Sequence, residues 1–432
     1  MDIKLNYNPQ PATRNLQIQI TGSKSETNRL LLLKALYPNI KLENASNSVD
    51  SKVMIKALEF SNPTTHNPQL IDIHHAGTAM RFLTAYFAIQ EGKEVVLTGS
   101  SRMKERPIKI LVDALNQLGA EITYEENEGF PPIKIKGKKI IKNKVVIQAN
   151  VSSQYISALL LIAPKLENGL ELTLEGDLTS VPYISMTLAL LNEIGIETSF
   201  ENSIIKVNPL PILLNAIRNT HTITIESDWS SASYFYSIVA LSEIGSKLQL
   251  SNFKMNSLQG DTALVEIYKS FGVETVFNSD NSIIITKVNS HNLLPINFNL
   301  NDSPDIAQTI AVTCFGLGIG CHLTGLHTLK IKETDRLEAL KTELSKFGAT
   351  ISVTNDSLTL LAHNLFENEY SPLEGYPQGG VATYQDHRMA MAFATLAVKM
   401  PITIQNAEVV SKSYPTFWDD LKSFGFQIRE RT

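Results

Sequence analysis

The stretch Leu118-Gly119-Ala120-Glu121-Ile122 joins the end of an apolar helical pattern to the start of an alternating strand pattern. The same form recurs at Ile194–Thr198, Phe271–Thr275, Phe347–Ile351 and Phe424–Ile428. Successive glycines in these five copies are separated by 76, 77, 76 and 77 residues. A glycine at this point is typical of a helix end in the left-handed conformation, because it has no Cβ to clash there. The regular spacing predicts a chain built from internal repeats.

A second pattern, a polar loop that opens an apolar helix, alternates with the glycine turns. The helices predicted in this way are Gly22–Leu36, His75–Ile89, Val151–Ala163, Asp228–Leu241, Asp302–Phe315 and Asp386–Val398. Each is followed by a predicted strand, and repeated alternation of strands and helices is typical of an α/β architecture.

Together the two patterns define a βαβαββ unit that is present about six times. The sixth copy is weak and lies at Ala57–Phe60, before a strand at Gln69–Ile73. Six units divide naturally into three from about residue 22 to 225 and three from about 226 to 432. The leading strand, Leu16–Ile20, stands outside this count, and we expect it to complete the second half.

The composition is that of an ordinary globular protein. Of the 432 residues, 43% are hydrophobic and 19% are charged, and the formal net charge is −5. This balance argues against a nucleic-acid-binding protein, which usually presents a basic surface. It leaves room for an anionic small ligand, because local cationic clusters can outweigh the net charge. The two cysteines, Cys314 and Cys321, have apolar neighbours and are predicted to be reduced core thiols.

No stretch of the sequence predicts export or a membrane span. The first residues, Met1–Asn6, lack the apolar run of a secretory signal. Apolar stretches such as Ile156–Ala163 are far shorter than the roughly 20 residues that cross a bilayer. We therefore expect a cytoplasmic protein without a membrane or nucleic-acid partner, and we expect a monomer.

In the first half of the chain, cations and hydroxyls recur where helices begin. Backbone N–H groups and the helix dipole favour anions at such positions. The segment Thr21–Arg29 contains Gly-Ser-Lys-Ser, which is not a Walker A loop because that loop has two glycines flanking four residues before its lysine. Gly77 and Thr78 form a second such turn, for which we interpret the nearby Arg81 as structural. Arg106 and Ser152–Gln154 lie at further helix starts.

The second half of the chain adds carboxylates at the equivalent positions. Asp228 is interpreted as a helix cap or a domain-hinge residue. The segment Asp302–Asp305 opens the next helix with carboxylates, and Lys330–Arg336 carries charges of both signs. Asp386-His387-Arg388 does the same, and Lys412 follows later. Arginine and lysine together suit phosphate and carboxylate ligands, and carboxylates beside them suit acid–base chemistry. Each segment alone would more often be ordinary surface, so the prediction depends on their recurrence.

These segments resemble the motifs of the 5-enolpyruvylshikimate-3-phosphate synthases. The matching strings are Gly22–Arg29, Ala76–Arg81, Arg102–Pro107, Ser152–Gln154, Lys332–Arg336 and Asp386–Met391. They occur in the family's order and cover nearly the whole chain. The resemblance implies a two-domain, enolpyruvyl-transferase-like α/β fold with six βαβαββ repeats, three per domain, and an active site in the interdomain cleft. It also implies that residues 1–21 join residues 226–432 in the C-terminal domain, with residues 22–225 as the N-terminal domain.

The implied reaction transfers the enolpyruvyl (carboxyvinyl) group of phosphoenolpyruvate to the 5-hydroxyl of shikimate 3-phosphate. Inorganic phosphate leaves, and 5-enolpyruvylshikimate 3-phosphate forms on the shikimate pathway to chorismate and the aromatic amino acids. Our hypothesis is addition followed by elimination through a tetrahedral adduct. We expect no metal and no cofactor, because the histidines show no ligand spacing.

The resemblance also assigns roles to individual residues. It implies that Asp305 accepts a proton and Glu333 donates one, with assistance from Lys24 and His387. The residues implied to contact shikimate 3-phosphate are Lys24, Ser25, Arg29, Ser152, Ser153, Gln154, Ser180, Tyr183, Asp305, Thr328 and Lys332. The residues implied to contact phosphoenolpyruvate are Lys24, Gly77, Arg106, Gln154, Arg336, Arg388 and Lys412. Three positions depart from the family pattern, namely His75, Phe82 and Thr328.

Two other readings of the sequence stay open at this point. UDP-N-acetylglucosamine 1-carboxyvinyltransferases share the architecture, but they typically carry a reactive cysteine in a loop equivalent to Ser100–Arg106, where this chain has none. A non-catalytic anion-binding paralogue is the second alternative. It would not require both Asp305 and Glu333.

Overall fold

The computed structural model describes residues 1–8, 16–59, 68–149, 152–176, 178–210, 221–289, 294–363 and 380–431. The chain divides into two compact units. Gly22–Ile225 form the N-terminal unit, and Met1–Thr21 with Glu226–Thr432 form the C-terminal unit. Both contain helices and sheets, which confirms the predicted mixed α/β class. Two residues used in the sequence patterns, Phe60 and Val151, lie outside the described residues.

The elements of the described residues are numbered in chain order. The strands are β1 (Asp2–Tyr7), β2 (Gln17–Ile18), β3 (Ile40–Glu43), β4 (Gln69–Asp72), β5 (Glu94–Thr98), β6 (Glu121–Tyr124), β7 (Ile133–Lys136), β8 (Lys144–Gln148), β9 (Leu170–Glu175), β10 (Thr198–Glu201), β11 (Ile204–Val207), β12 (His221–Thr224), β13 (Lys247–Leu250), β14 (Val273–Phe277), β15 (Ile283–Lys287), β16 (Ile296–Asn299), β17 (Cys321–Thr324), β18 (Ile351–Val353), β19 (Leu358–Leu360), β20 (Ile402–Ile404) and β21 (Phe426–Arg431). The α-helices are α1 (Lys24–Leu36), α2 (Val49–Glu59), α3 (Gly77–Ala88), α4 (Ser101–Lys104), α5 (Lys109–Leu118), α6 (Ser153–Ile162), α7 (Val181–Glu193), α8 (Trp229–Leu241), α9 (Leu264–Lys269), α10 (Ala307–Leu317), α11 (Arg336–Lys346), α12 (His387–Ala394) and α13 (Phe417–Ser423).

Four of the sheets repeat one arrangement. Their strand orders are β4-β5-β7-β6 and β8-β9-β11-β10 in the N-terminal unit, and β2-β13-β15-β14 and β16-β17-β19-β18 in the C-terminal unit. In each of them the first two strands are parallel, and the remaining pairs are antiparallel. A parallel pair needs a crossover connection, whereas the antiparallel pairs can be joined by short turns.

Both strands that precede residue 21 pair within the C-terminal unit. β2 lies parallel to β13, with Ile18 opposite Leu250. β1 lies between β20 and β21 and is antiparallel to both. The start of the chain therefore completes two sheets whose other strands come from the second half of the sequence.

Largely buried helices form the centre of each unit. In the N-terminal unit α1, α3 and α6 pack on one another, and in the C-terminal unit α8, α10 and α12 with its 3-10 extension do so. Nearly every residue of α3, α6, α8 and α10 is buried. A helix without a polar face is typical of a core position, with sheets around it. The polar segments identified in the sequence lie at the N-terminal ends of these central helices.

The five repeat glycines have the predicted left-handed conformation. Their φ angles lie between +71° and +108°, and they follow the ends of α5, α7, α9, α11 and α13. The prediction of helix-ending glycines is thus confirmed. The two cysteines are free and buried, as predicted. Across the described ranges, no helix has both the length and the hydropathy to cross a membrane.

Two repeat glycines in the C-terminal unit allow a matched stability test. At Gly348 an added Cβ would have open space, so Gly348→Ala should cost only the backbone strain of a left-handed alanine, about 1 kcal/mol. At Gly272 the Cβ would lie 2.0 Å from the carbonyl oxygen of Asn289, so backbone must also move. Gly272→Ala should therefore lower the free energy of unfolding by roughly 3 kcal/mol or more in urea denaturation. Equal losses in the two variants would contradict this account.

Candidate active site

The N-terminal ends of three central helices meet in the C-terminal unit. Ser230 lies in the first turn of α8, Asp305 lies in the 3-10 turn Pro304–Ile306 before α10, and Arg388 is the second residue of α12. Arg388 Nη2 donates to Asp305 Oδ2 at 3.1 Å and to Ser230 Oγ at 3.2 Å. Since N–H groups at helix starts favour nearby anions, this convergence creates a place for a negatively charged ligand.

Arg336, the first residue of α11, is the most heavily paired cation of this cluster. Its side chain is only 2% exposed. Nε donates to Asp386 Oδ2 at 2.6 Å, Nη1 to Asp305 Oδ1 at 2.9 Å and Nη2 to Glu333 Oε2 at 2.8 Å. A buried charge is stable only when it is paired and hydrogen-bonded. The three carboxylates therefore fix the guanidinium in one position.

Glu333 connects Arg336 to a second buried cation. Its Oε1 accepts a hydrogen bond from Lys412 Nζ at 2.6 Å, and the Lys412 side chain is 4% exposed. Lys332 Nζ lies 3.6 Å from Asp305 Oδ1. The carboxylates predicted to move protons and the cations predicted to bind phosphoenolpyruvate in this unit thus belong to one network.

The charge of this network sets the acidity of Asp305. Burial by itself would raise the pKa of the Asp305 carboxyl. The positive charges of Arg388, Lys332 and Arg336 outweigh burial and hold this pKa well below its usual range. While its cations are paired in this way, Asp305 is a carboxylate at any physiological pH and a weak base.

Asp386 has two structural tasks at the start of α12. Its side chain accepts from the backbone N–H of Arg388 at 2.8 Å, which caps the helix, and it also pairs with Arg336. His387 is buried, and its Nδ1 lies 3.7 Å from Asp386 Oδ1. The predicted assistant His387 is therefore placed beside the arginine network.

The loop before Asp386 is held in a strained form. Tyr384 and Gln385 both have left-handed φ angles, +53° and +55°. Such residues cost of order 1 kcal/mol each and persist where the surroundings hold them. Buried Glu343 on α11 holds this loop in place, because it accepts hydrogen bonds from Tyr384 Oη at 2.6 Å and from the backbone N–H of Ala382 at 3.2 Å. The start of α12 is thereby tied to the helix that carries Arg336.

Thr328 lies in the 3-10 helix His327–Ile331, a few residues before Lys332. Its Oγ1 is buried and has no hydrogen-bond partner among the described residues. The hydroxyl at this departure from the family pattern therefore remains available as a donor and acceptor.

In the N-terminal unit, Lys24 is the first residue of α1 and is paired with a carboxylate. Its Nζ lies 3.3 Å from Asp50 Oδ2 at the start of α2. Ser23 caps α1 by accepting from the N–H of Glu26, which leaves Ser25 within the first turn. The predicted Lys24 and Ser25 therefore lie together at a helix start.

Arg29 is buried one turn further along α1 and has extensive contacts within the unit. Its guanidinium donates to the hydroxyls of Thr187 and Ser157 and to the carbonyl oxygens of Ser25 and Tyr183. Its Cζ also lies 5.7 Å from the centre of the Tyr183 ring. Arg29 thus connects α1, α6 and α7 near the predicted binding residues, and its Cζ also lies 5.5 Å from the centre of the Phe82 ring.

Gly77 and Arg106 touch each other. A Cβ built on Gly77 would lie 2.5 Å from Arg106 Nη1 and 2.9 Å from Nη2. Arg106 Nε is buried without a hydrogen-bond partner, and no carboxylate in the described part of the chain pairs with this arginine. Arg106 is thus a half-buried cation whose charge is available to an anion at the start of α3.

The remaining predicted residues of this unit also lie at helix starts. Gln154 Nε2 donates to Thr78 Oγ1 at 3.2 Å, which joins the starts of α6 and α3. Ser152 caps α6, and Ser153 is its buried first residue. Ser180 precedes α7 with φ of +54°, an unusual conformation for serine that is enriched at binding sites.

Two residues given structural interpretations in the sequence do have structural roles. Asp228 Oδ1 accepts from the N–H of Ser231 at 2.8 Å and caps α8. Arg81 is buried and donates to the carbonyl oxygens of Gly77 and Pro107.

Sequence reasoning missed several partners of the predicted residues. Asp50, Glu343, Ser230 and Asp261 lie outside the motif strings, and Asp386 lies inside one without having been assigned a role. Asp-Trp-Ser-Ser at 228–231 could have pointed to Ser230, because it opens a central helix. Among the described residues, no group of histidine, cysteine, aspartate and glutamate is arranged to hold a metal ion.

Solved structures identify the class to which this repeated fold belongs. An EPSP synthase from Acinetobacter baumannii superposes with a TM-score of 0.75 over 99% of this chain and 100% of its own, at 20% sequence identity. The fold is therefore that of the EPSP synthases. At 20% identity this structural similarity is evidence for the fold alone.

Sequence comparison adds the family. The family model for EPSP synthase (3-phosphoshikimate 1-carboxyvinyltransferase) matches residues 10–421, and the chain belongs to this family. A 3-phosphoshikimate 1-carboxyvinyltransferase of Bacteroides fragilis is 43% identical over 422 residues, which is 97% of each chain. The enzyme of that name from Actinobacillus pleuropneumoniae serotype 5b is 34% identical and covers 96% of this chain and 97% of its own.

The contact between Gly77 and Arg106 yields a test of this part of the site. In Gly77→Ala the new methyl group must displace the guanidinium, whose flexible end can move, so binding should suffer more than stability. We expect affinity for phosphoenolpyruvate, measured by calorimetry, to fall about tenfold, as for loss of one charged hydrogen bond. Gly92→Ala, where the Cβ has open space and only the strain of a left-handed alanine (φ +77°) is added, is the control for a loss of stability without contact to Arg106. Unchanged affinity in Gly77→Ala would show that Arg106 does not hold the ligand.

Proposed function

We propose that this chain transfers the enolpyruvyl group of phosphoenolpyruvate to the 5-hydroxyl of shikimate 3-phosphate and releases inorganic phosphate. The observation that carries the proposal is the shared network of Asp305 and Glu333. Both carboxylates are bound to Arg336, and each contacts a further cation, Arg388 or Lys412. Groups suited to proton transfer and groups suited to anion binding therefore occupy the same site.

Substrate binding in this proposal is an exchange of anions. In the structure the N–H groups of Arg336, Arg388 and Lys412 donate to Asp305 and Glu333. Phosphoenolpyruvate carries a phosphate and a carboxylate, and both groups can accept these hydrogen bonds instead. Arginine suits this exchange because its planar donors match either group bidentately. In the N-terminal unit, Lys24, Gly77, Arg106 and Gln154 supply the other contacts to phosphoenolpyruvate.

Shikimate 3-phosphate is proposed to contact residues with many hydroxyl and amide groups. In the N-terminal unit these are Lys24, Ser25, Arg29, Ser152, Ser153, Gln154, Ser180 and Tyr183. In the C-terminal unit they are Asp305, Thr328 and Lys332. Hydroxyls, an amide and cations together can satisfy a ring with several hydroxyls, a carboxylate and a phosphate.

This exchange of hydrogen-bond partners would also raise the pKa of Asp305, the proposed proton acceptor. While Arg388, Lys332 and Arg336 face it, the pKa of Asp305 is too low for efficient proton abstraction. When a substrate anion takes up part of their charge, the Asp305 pKa rises toward its usual range. Asp305 can then accept the proton of the 5-hydroxyl as that oxygen attacks phosphoenolpyruvate.

Glu333 is proposed to handle the second proton. Protonation of the methylene carbon of phosphoenolpyruvate makes the neighbouring carbon electrophilic. The resulting tetrahedral adduct loses phosphate together with a methyl proton, which returns to the carrier. Lys412 Nζ at 2.6 Å from Glu333 is a proton donor already in contact with it. Lys24 and His387 assist.

The alternatives are less well supported. Transfer to UDP-N-acetylglucosamine would be expected of a chain with a reactive cysteine at Ser100–Arg106, whereas Cys314 and Cys321 are buried in the C-terminal unit. A passive anion binder would have no use for two carboxylates that compete with the ligand for its cations. We further propose that the protein acts as a cytoplasmic monomer on small molecules alone.

Phosphate release tests the proposal directly. The purified chain should release inorganic phosphate only when phosphoenolpyruvate and shikimate 3-phosphate are present together. Release with phosphoenolpyruvate alone would indicate a phosphatase, and no release with both would indicate a passive binder. Phosphate release with UDP-N-acetylglucosamine in place of shikimate 3-phosphate would instead indicate a UDP-N-acetylglucosamine 1-carboxyvinyltransferase.

The role of Glu333 yields a further prediction. Glu333→Gln keeps the size of the side chain and removes its proton-carrying ability, so turnover should fall at least about 1,000-fold. Affinity for shikimate 3-phosphate should change less than about threefold. Glu338→Gln, an exposed change on the following helix, is the control. Near-normal turnover in Glu333→Gln would remove Glu333 from the mechanism.

A further inference from the structure

Two polar residues outside the motif strings are linked to the candidate active site. Asp261 lies in the 3-10 helix Gly260–Ala263 and is 3% exposed. Its Oδ2 accepts a hydrogen bond from Ser230 Oγ, and Ser230 in turn contacts Arg388 Nη2 at 3.2 Å. None of the roles discussed above accounts for this buried carboxylate.

Chemistry fixes the direction of both hydrogen bonds. A guanidinium can only donate, and a carboxylate can only accept. The single hydroxyl proton of Ser230 must therefore point to Asp261, which turns an oxygen lone pair toward Arg388. Without the carboxylate, the hydroxyl could rotate and present its proton to the guanidinium.

Asp261 is placed to perform this one task. Burial raises the pKa of the Asp261 carboxyl to about 6, against the attraction of Arg388. Its other oxygen, Oδ1, is buried and has no hydrogen-bond partner within the described ranges. An ionised carboxylate with one oxygen unsatisfied is costly to keep in a core, which argues that its contact with Ser230 has a use.

That use concerns the orientation of Arg388. The same nitrogen, Nη2, donates to Asp305 Oδ2 and to Ser230 Oγ. Ser230 thus holds Nη2 against the pull of Asp305, a member of the proposed catalytic pair. If the hydroxyl were absent, Nη2 would lose this contact and could turn further toward Asp305.

We propose that Asp261, acting through the Ser230 hydroxyl, is a positioning residue that keeps Arg388 available to the anionic substrate. The inference rests on the proposed function and deepens it. It assigns a role to two residues that touch neither substrate in the proposed binding sets.

Kinetics of three variants test the proposal. Ser230→Ala and Asp261→Ala should each raise KM for phosphoenolpyruvate about tenfold, since an arginine contact is lost or misdirected. KM for shikimate 3-phosphate should change less than about twofold. Asp261→Asn should restore KM for phosphoenolpyruvate to within about threefold of the parent value, because its amide oxygen can accept the same hydrogen bond from Ser230.

A matched control is available in the same unit. Buried Ser282 also donates its hydroxyl to an aspartate, Asp280, at 2.6 Å. Ser282→Ala removes a comparable hydroxyl–carboxylate bond outside the arginine network and should leave both KM values unchanged. Thermal denaturation of all variants identifies any that are unfolded.

Three results would overturn the inference. These are an unchanged KM for phosphoenolpyruvate in folded Ser230→Ala, an equal rise for both substrates, or Asp261→Asn as impaired as Asp261→Ala. Failure of the proposed function is distinguishable, because the parent enzyme would then release no phosphate with both substrates. In that case calorimetry with phosphoenolpyruvate alone still compares the variants, and equal affinities would refute the positioning role.

Discussion

The pairing of one buried guanidinium with three carboxylates organises the candidate site residues of the C-terminal unit. Arg336 binds Asp386, Asp305 and Glu333, which belong to three separate segments of the chain. Removing one partner of such a set leaves buried charge uncompensated, which is strongly destabilising. The starts of α10, α11 and α12 are therefore held together by electrostatics as well as by packing. Asp386 extends this constraint, because the same side chain caps α12 and so sets the position of Arg388.

The same pairing explains how a protein with net negative charge can present a site for anions. The cations of the cluster are not displayed to solvent but are kept in place by their own carboxylates. A ligand with one negative charge would have little advantage over these internal partners. A ligand with both a phosphate and a carboxylate can replace several contacts at once. In the proposed mechanism this arrangement favours multiply charged substrates, and their binding raises the basicity of Asp305.

The repeated architecture places these groups. In both units the central helices are buried along their length, so the polar residues of each are concentrated at the first turn. The N-terminal unit has Lys24, Gly77 and Gln154 at such helix starts. In the C-terminal unit Arg388 lies at the start of α12, Asp305 lies in the turn just before α10, and Arg336 begins the neighbouring helix α11. One local arrangement, repeated with different side chains, therefore places hydroxyls and cations at helix starts in one unit and mostly charged pairs at helix starts in the other.

The sequence by itself determined the features that are local. Helix-ending glycines such as Gly119 and Gly425 can be recognised in the sequence, because few other residues tolerate a left-handed φ. Polar helix starts can be recognised because they precede apolar helices. The mixed α/β class followed from these, whereas the roles expected of individual residues followed from the resemblance of the motif strings to a known family. The tertiary structure alone decided which side chains meet. Lys24 and Asp50 are 26 residues apart, Arg336 and Asp386 are 50 apart, and Ser230 and Arg388 are 158 apart. Local pattern carries no information about such pairs, because they form only when separate helix starts are packed together in the folded core.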